Sequence, residues 1–217
     1  MSIKNLNYLI RILSKQPYYT KQNLALALGR ENYSLDYWIK KLIRENILIQ
    51  LKKGFYISSF FLEENNKKGS LDEYFFLLAN ILREPSYISL ERVLSLAGLI
   101  PEQSFAITSI TIKSTRIYKT KTATFIYRSI KPSLFIGYKK TEKGIYLASP
   151  SKSLFDFLYL KKFKDNIDAV DYLTERGRFN WGILTKDDKK EFDRYVDLSK
   201  SKKMTELLAI LTREKLI

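Results

Sequence analysis

The chain has 217 residues, of which 45% are hydrophobic and 14% aromatic, and this supply of apolar side chains argues against disorder. Lys and Arg number 38 against 23 Asp and Glu, which gives a formal net charge of +15. Such a balance favours nucleic acid, an anionic membrane surface or an acidic protein as partner, although a lysine-rich proteome would produce it without one. Cys and His are both absent, which excludes thiol catalysis, zinc centres and histidine acid–base chemistry.

The length and the apolar pattern predict a cytoplasmic protein of two domains. A chain of this length exceeds a typical single domain, so two modest domains are expected. No run approaches the roughly eighteen apolar residues of a membrane span. Asn5, Arg11 and Lys15 interrupt the apolar residues near the N-terminus, which makes them a poor signal-peptide core. We therefore expect no membrane partner.

Residues 20–57 predict two short helices followed by a β-hairpin. Thr20 is a candidate N-cap for a helix that ends at Gly29, and Ser34 is a candidate N-cap for the next helix. Two apolar runs, 47–51 and 55–57, predict strands joined by a tight basic turn. Apolar residues at helical spacing predict one buried face on the second helix: Leu35, Trp38, Ile39, Leu42 and Ile43.

This order of helix, turn, helix and hairpin is the plan of a winged helix-turn-helix. Its second helix would lie in the major groove of DNA, with the hairpin turn against phosphates. Ser34 and Tyr37, near the start of that helix, are better placed for base edges, and the cations for phosphates. The candidate DNA-binding residues are Tyr33, Ser34, Tyr37, Lys40, Lys41, Arg44, Lys52 and Lys53. Winged helices also serve as protein-interaction modules, and this alternative stays open.

A second domain is predicted after a polar linker. Residues 63–69 read EENNKKG, so the linker is placed there, between domains at 1–62 and 70–217. An apolar helix is predicted from Ser70, a short helix near 90–96, and strands within 107–130, 134–138 and 145–147. A helix at 151–161 and three more within 165–217 complete an α+β fold, with a mixed helix and antiparallel-sheet domain and a helical C-terminus.

The strand-forming part of this second domain carries a basic patch of its own. Between residues 113 and 152 the only acid is Glu142. The cations are Lys113, Arg116, Lys119, Lys121, Arg128, Lys131, Lys139, Lys140, Lys143 and Lys152. The first five form a candidate auxiliary patch for flanking DNA or an acidic protein. An ordinary solvated face of an antiparallel sheet would have the same composition.

The sequence predicts no enzyme. The glycines are scattered singly, without a phosphate-binding loop. Asp165, Asp168 and Asp171 are spaced three apart, but the positive end of a helix stabilises acids in its first turn, and this explanation is far commoner than a metal site. We therefore predict no catalytic residue, no cofactor and no metal; a metal nuclease that uses these acids is the enzyme hypothesis that stays open.

Several segments in order resemble the AbiEi-type antitoxins, the regulators of type IV toxin–antitoxin phage-defence systems. They read LKKGFYI, YISLERVLSLAGLIPE, ITSITIKSTRIYKT, TFIYRSIK, IGY and GIYLASPSKSLFDFLYL, and the match is densest over 87–160. The resemblance implies an N-terminal winged helix that binds inverted repeats in its own promoter and represses transcription. It also implies a C-terminal domain that neutralises a nucleotidyltransferase toxin encoded beside it, without a stable complex in several members.

Two alternatives to an antitoxin stay open, namely a solitary winged-helix regulator and a protein-binding adaptor without a toxin. The chain is at the short end of the lengths in this family, and residues 184–211 resemble the family only in general character. The toxin's own Gly-Ser motif is followed by paired acids, whereas Gly69-Ser70 precedes an ordinary helix start, so this chain is not the toxin half. The operator sequence and the oligomeric state are not encoded in any recognisable motif.

Overall fold

A computed structural model describes the backbone of residues 3–217 and the side chains from residue 7 onward. The chain folds as α+β and divides by its contacts into two compact units. The first unit holds the residues up to Leu78 together with Tyr118–Thr124, and the second holds Ala79–Ile117 and Phe125–Ile217. Within the described residues, no helix combines the length and the apolar character needed to cross a bilayer.

Among the described residues, the first unit contains four complete helices, a small antiparallel sheet and the start of a fifth helix. Its elements are α1 (Ile3–Leu13), β1 (Tyr19–Thr20), α2 (Lys21–Leu28), α3 (Asn32–Arg44), β2 (Leu48–Lys52), β3 (Phe55–Ser58), α4 (Ser59–Lys67) and the start of α5 (Leu71–Leu82). The strand order is β1-β3-β2, so the hairpin of β2 and β3 is extended by β1. Its core is lined by Leu13, Leu24 and Leu42, which are fully buried.

α2 begins and ends at the predicted residues, whereas α3 begins earlier. The Thr20 side chain accepts a hydrogen bond from Asn23 N at 3.1 Å, and Gly29 ends α2 with a φ of 60°. In α3, the N–H of Leu35 already donates to the carbonyl of Glu31 at 3.1 Å. The helix therefore starts at Asn32, and the prediction of Ser34 as its N-cap is wrong because Ser34 lies within the first turn.

The predicted polar linker is helical. The Ser58 hydroxyl accepts a hydrogen bond from Phe60 N at 3.2 Å and caps α4, which continues to Lys67. The division between the two compact units does not fall within the predicted 63–69 segment. The first unit extends beyond it into α5, as far as Leu78. The polar residues of this stretch form the exposed end of α4 and the turn after it, and composition alone does not separate an exposed helix end from a loop.

The second unit is built around a six-stranded sheet covered by helices. Its elements after α5 are β4 (Ser86–Ile88), α6 (Glu91–Leu96), β5 (Ile107–Thr111), β6 (Arg116–Lys119), β7 (Thr124–Ser129), β8 (Tyr138–Lys140), β9 (Tyr146–Ala148), α7 (Pro150–Leu160), α8 (Asn166–Asp171), α9 (Lys186–Ser199) and α10 (Lys202–Arg213). The strand order is β6-β7-β5-β4-β9-β8, and both outer strands are short.

The sheet is mixed, so the prediction of an antiparallel sheet is wrong. β4 pairs antiparallel with β5, but β5 pairs parallel with β7 and β4 pairs parallel with β9. The connection through β6 reverses the chain twice, which brings β7 back in the direction of β5. The strand predicted at 134–138 is also absent, because Pro132 starts a 3₁₀ turn through Leu134 and β8 begins only at Tyr138.

An ion pair lies at the centre of the second unit's core. Lys152 and Asp156, four residues apart on α7, are both fully buried, and Lys152 Nζ donates to Asp156 Oδ1 at 2.6 Å. The same ammonium donates to the carbonyl of Leu134 at 2.9 Å. Asp156 Oδ2 accepts hydrogen bonds from the hydroxyls of Tyr87 and Ser89, at 3.0 and 2.8 Å. Lys152 therefore does not belong to the surface charge, although the sequence places it in the basic run.

The acids considered for a metal site take part in helix capping and ion pairing. Asp165 accepts a hydrogen bond from Asp168 N at 2.8 Å and caps α8. Asp168 accepts from Lys164 N at 2.9 Å and pairs with Arg176, which also pairs with Asp171. The Lys164 N–H and the Arg176 guanidinium hold the pKa of Asp168 below its ordinary value. This arrangement explains the spacing of the acids without a bound ion.

Candidate nucleic-acid interface

α3 presents a continuous exposed stripe of aromatic and basic side chains. Tyr33 and Tyr37, one helical turn apart, keep 92% and 63% of their surface exposed. Lys40 and Arg44 continue the exposed row, with Lys41 half-buried beside them. Ser34 is exposed in the first turn of the helix. The structure therefore brings together, on one side of α3, the six residues predicted for it, while Leu35, Ile39 and Leu42 lie on the buried side.

The one acid of this helix is neutralised by an ion pair. Asp36 Oδ1 lies 2.5 Å from Lys21 Nζ at the start of α2. Both side chains are about half exposed, at 48% and 50%, so the pair contributes little to the stability of the fold. Its consequence is electrostatic, because it removes the only negative charge from a face that otherwise carries cations.

Trp38 is half-buried, and its prediction as a core residue needs correction. Its ring lies beneath two cations, with Lys41 Nζ at 4.8 Å and Arg30 Cζ at 5.6 Å from the ring centroid. Tyr37 meets it edge-on at 6.3 Å. The ring thus orients basic side chains at the edge of the stripe, and Arg30 is a candidate interface residue that sequence reasoning missed. In the sequence, Arg30 could have been recognised as a cation directly after Gly29, the residue that ends α2.

The corrected position of Trp38 changes the expected cost of removing it. Trp38→Ala is expected to lower the free energy of unfolding by about 2 kcal/mol, roughly half of the range for a core tryptophan, because only part of the ring leaves a cavity. Leu42→Ala is the matched control, since Leu42 is fully buried on the same helix and should cost about 3 kcal/mol or more. Urea denaturation measures both, and a Trp38→Ala cost above that of Leu42→Ala would restore the core assignment.

The turn between β2 and β3 projects two lysines of different character. Lys53 is exposed at the tip beside Gly54, whose φ of 76° suits glycine. Lys52 is half-buried, and its Nζ lies 5.6 Å from the centroid of the Phe55 ring. A register shift between Gln50 and Lys52 marks a bulge at this end of the hairpin. The tip is therefore a short basic turn whose backbone conformation depends on Gly54 and on the bulge.

The auxiliary basic patch lies on and around the β6–β7 hairpin, and all of its side chains are exposed. Arg116 and Lys119 belong to β6, Lys121 to the connecting turn and Arg128 to β7, while Lys113 precedes β6. The opposite edge strand, β8, also ends in exposed lysines. Charged edge strands protect a sheet from pairing with other chains, which is a structural explanation for part of this charge.

Comparisons with known proteins support a fold but no family. No family model matches the chain, and no curated protein matches it. Among solved structures, the crystal structure of the RV2827C protein from Mycobacterium tuberculosis is similar, with a TM-score of 0.54 at 13% sequence identity. The alignment covers 97% of this chain and 78% of that one. At this level of identity, the likeness extends to the fold alone.

Proposed function

We propose that this chain is a DNA-binding transcriptional repressor whose first unit acts as a winged helix-turn-helix. In this proposal α3 enters the major groove of a promoter and the β2–β3 turn contacts the adjacent backbone. The order of α1, β1, α2, α3 and a three-stranded antiparallel sheet is compatible with that plan. The formal charge of +15 suits a polyanionic partner.

The observation that carries the proposal is the stripe on α3. Tyr33 and Tyr37, which are 92% and 63% exposed, share their side of the helix with Lys40 and Arg44, and such a grouping of exposed aromatic and basic side chains favours an interaction surface. Tyrosine hydroxyls and the Ser34 hydroxyl can donate to or accept from base edges, while Lys and Arg neutralise phosphates. Base discrimination is therefore assigned to Ser34 and Tyr37, and affinity to the cations.

We propose in addition that the second unit makes the protein an antitoxin against a nucleotidyltransferase. The resemblance of 87–160 to the AbiEi-type antitoxins supports this part. The experiment is co-expression with a nucleotidyltransferase toxin of the AbiE type, where growth should be restored by the full chain and by a chain lacking DNA binding. Growth arrest in both cases would reject the antitoxin and leave a solitary regulator.

Replacing Lys52 and Lys53 by alanine is expected to weaken binding to every duplex alike. Phosphates carry no sequence information, so the slope of log K against log salt should fall by roughly one for each phosphate that the variant no longer neutralises. Fluorescence anisotropy with a promoter duplex and a scrambled duplex, over a salt series, measures both effects. An unchanged affinity and slope would show that the hairpin turn does not touch DNA.

A protein-binding adaptor is the competing function, and Leu26 of α2, which is 79% exposed, gives it a specific observation. A gel shift with the DNA upstream of the chain's own reading frame separates the two. Retardation that survives excess scrambled duplex supports the repressor. The absence of any shift at low salt, where phosphate contacts are strongest, would reject DNA binding and favour the adaptor.

A further inference from the structure

The tip of the β6–β7 hairpin belongs to the first unit rather than to the sheet that its strands extend. The contacts of Tyr118–Thr124 group these residues with α1–α4, although the flanking residues Ile117 and Phe125 group with the second unit. One contact reaches the end of α3: Lys121 Nζ donates to Asn46 Oδ1 at 3.2 Å. Asn46 follows Arg44, the last cation of the exposed stripe on α3, by two positions. The hairpin tip thus brings Lys121 to that end of the helix.

The tip is held in one conformation by its own hydrogen bonds. The Thr120 N–H donates to the Ala123 carbonyl at 3.1 Å and closes the turn. The Thr120 hydroxyl donates to the same carbonyl at 2.7 Å and accepts from the N–H of Ala123 at 3.0 Å. Lys121 is therefore carried at the apex of a pre-organised turn, which lowers the entropic cost when it binds a partner.

The charge of the hairpin has one sign throughout. From residue 113 to residue 131 the chain contains cations but not a single carboxylate. Lys119 and Lys121, both exposed, are the two that fall in the segment grouped with the first unit. A row of exposed cations without intervening acids attracts phosphates in a way that an alternating surface does not.

Resting on the DNA binding proposed above, we infer that the β6–β7 hairpin tip is a further DNA-contacting element. Lys119 and Lys121 contact backbone phosphates of the same duplex, next to the end of α3 that carries Arg44. These contacts lengthen the footprint on one flank of the site that α3 reads. They raise the affinity for DNA without changing the preferred sequence, because phosphates are the same in every duplex.

The experiment compares two pairs of exposed lysines on opposite edges of one sheet. The test variant is Lys119→Ala with Lys121→Ala, and the matched control is Lys139→Ala with Lys140→Ala on β8. Both remove the same charge from the same protein, so a general charge effect would appear in both. Binding is measured by anisotropy between about 50 and 200 mM salt, and the contacted phosphates by hydroxyl-radical footprinting on a duplex that extends past both flanks.

The test variant is expected to bind promoter and scrambled duplex about tenfold more weakly, with the salt slope reduced by about two. Its footprint should also be shorter on one flank, while the β8 control keeps affinity, slope and footprint. Equal weakening in both variants would overturn the inference. Unchanged affinity, salt slope and footprint in the test variant would overturn it as well. The proposed repressor would still stand in that case if Lys52→Ala with Lys53→Ala weakened binding. If the unmodified protein binds no DNA, the proposed function fails and the inference with it.

Discussion

Replacing Asp156 by asparagine is expected to lower the free energy of unfolding by about 3–5 kcal/mol, because it leaves Lys152 as an unpaired cation inside the core. Both side chains are fully buried, so water does not screen the change. Asparagine keeps the shape of the side chain and one oxygen for the hydroxyls of Tyr87 and Ser89. Its amide nitrogen then faces the Lys152 ammonium, so the substitution removes both the counter-charge and the acceptor of that cation. Urea denaturation followed by circular dichroism measures the effect.

An exposed pair of the same spacing provides the control. Lys202 and Glu206 are also four residues apart on a helix, but their charged atoms are 3.8 Å apart and the Lys202 side chain is 92% exposed. Glu206→Gln should therefore cost less than about 1 kcal/mol. Lys152→Met added to Asp156→Asn should recover much of the stability, because the double variant buries no charge. A cost for Asp156→Asn no larger than that for Glu206→Gln would contradict the buried pair.

The pH dependence of the Asp156→Asn variant has a defined sign. Burial lowers the pKa of Lys152, and Asp156 is the strongest of the groups that raise it. Without Asp156, the pKa of Lys152 in the folded protein falls further below its unfolded value of about 10.4. Between the lowered pKa of folded Lys152 and its unfolded value, the unfolded chain binds more protons than the folded protein. The free energy of unfolding of the variant should therefore rise with pH until about 10.4. A cost that is independent of pH would show that Lys152 is not the cause.

Replacing Tyr37 by alanine is expected to weaken binding to the promoter about ten- to a hundredfold and to leave binding to scrambled DNA unchanged. The factor corresponds to the roughly 1–3 kcal/mol that one side chain contributes to base discrimination. Because Tyr37 is 63% exposed, its removal should cost the fold little beyond its edge contact with Trp38. Competition anisotropy with both duplexes gives the ratio of dissociation constants.

Two further variants define what Tyr37 contributes. Tyr37→Phe keeps the ring against Trp38 and removes only the hydroxyl, so weaker discrimination in this variant assigns it to a hydrogen bond. Tyr8→Ala removes a tyrosine of α1 that is 53% exposed and lies outside the stripe on α3, and it should leave both affinities unchanged. Equal weakening of both duplexes by Tyr37→Ala would show that Tyr37 contacts the backbone and reads no base.

The local chemistry of the first unit could be predicted from the sequence because it depends on near neighbours. A threonine followed by a polar residue three positions later forms the capping box of α2, and Gly29 ends that helix in the left-handed conformation. The apolar period of α3 places Leu35, Ile39 and Leu42 inside and the basic residues outside. The candidate stripe on α3 follows from that period alone.

Features that depend on more distant partners were missed or misplaced. Trp38 has the period of a core residue, but its neighbours in space are Arg30 and Lys41, which keep it at the surface. The polar stretch after Leu62 has the composition of a linker, yet it forms the exposed C-terminal end of α4. The mixed order of the sheet depends on which strands pair, and the alternation of side chains is the same in parallel and antiparallel strands.

The burial of charged side chains is the property that the sequence predicts least well. The excess of cations, the lack of Cys and His, and the helical stripe on α3 can all be read directly from the amino-acid order. Which of these cations face solvent depends on the fold. Lys121 is brought to the end of α3, whereas Lys152 is enclosed with Asp156 beneath Tyr87. The reason is physical, since a charge enters the core only where folding also supplies its counter-charge and hydrogen bonds, and these partners come from distant parts of the chain.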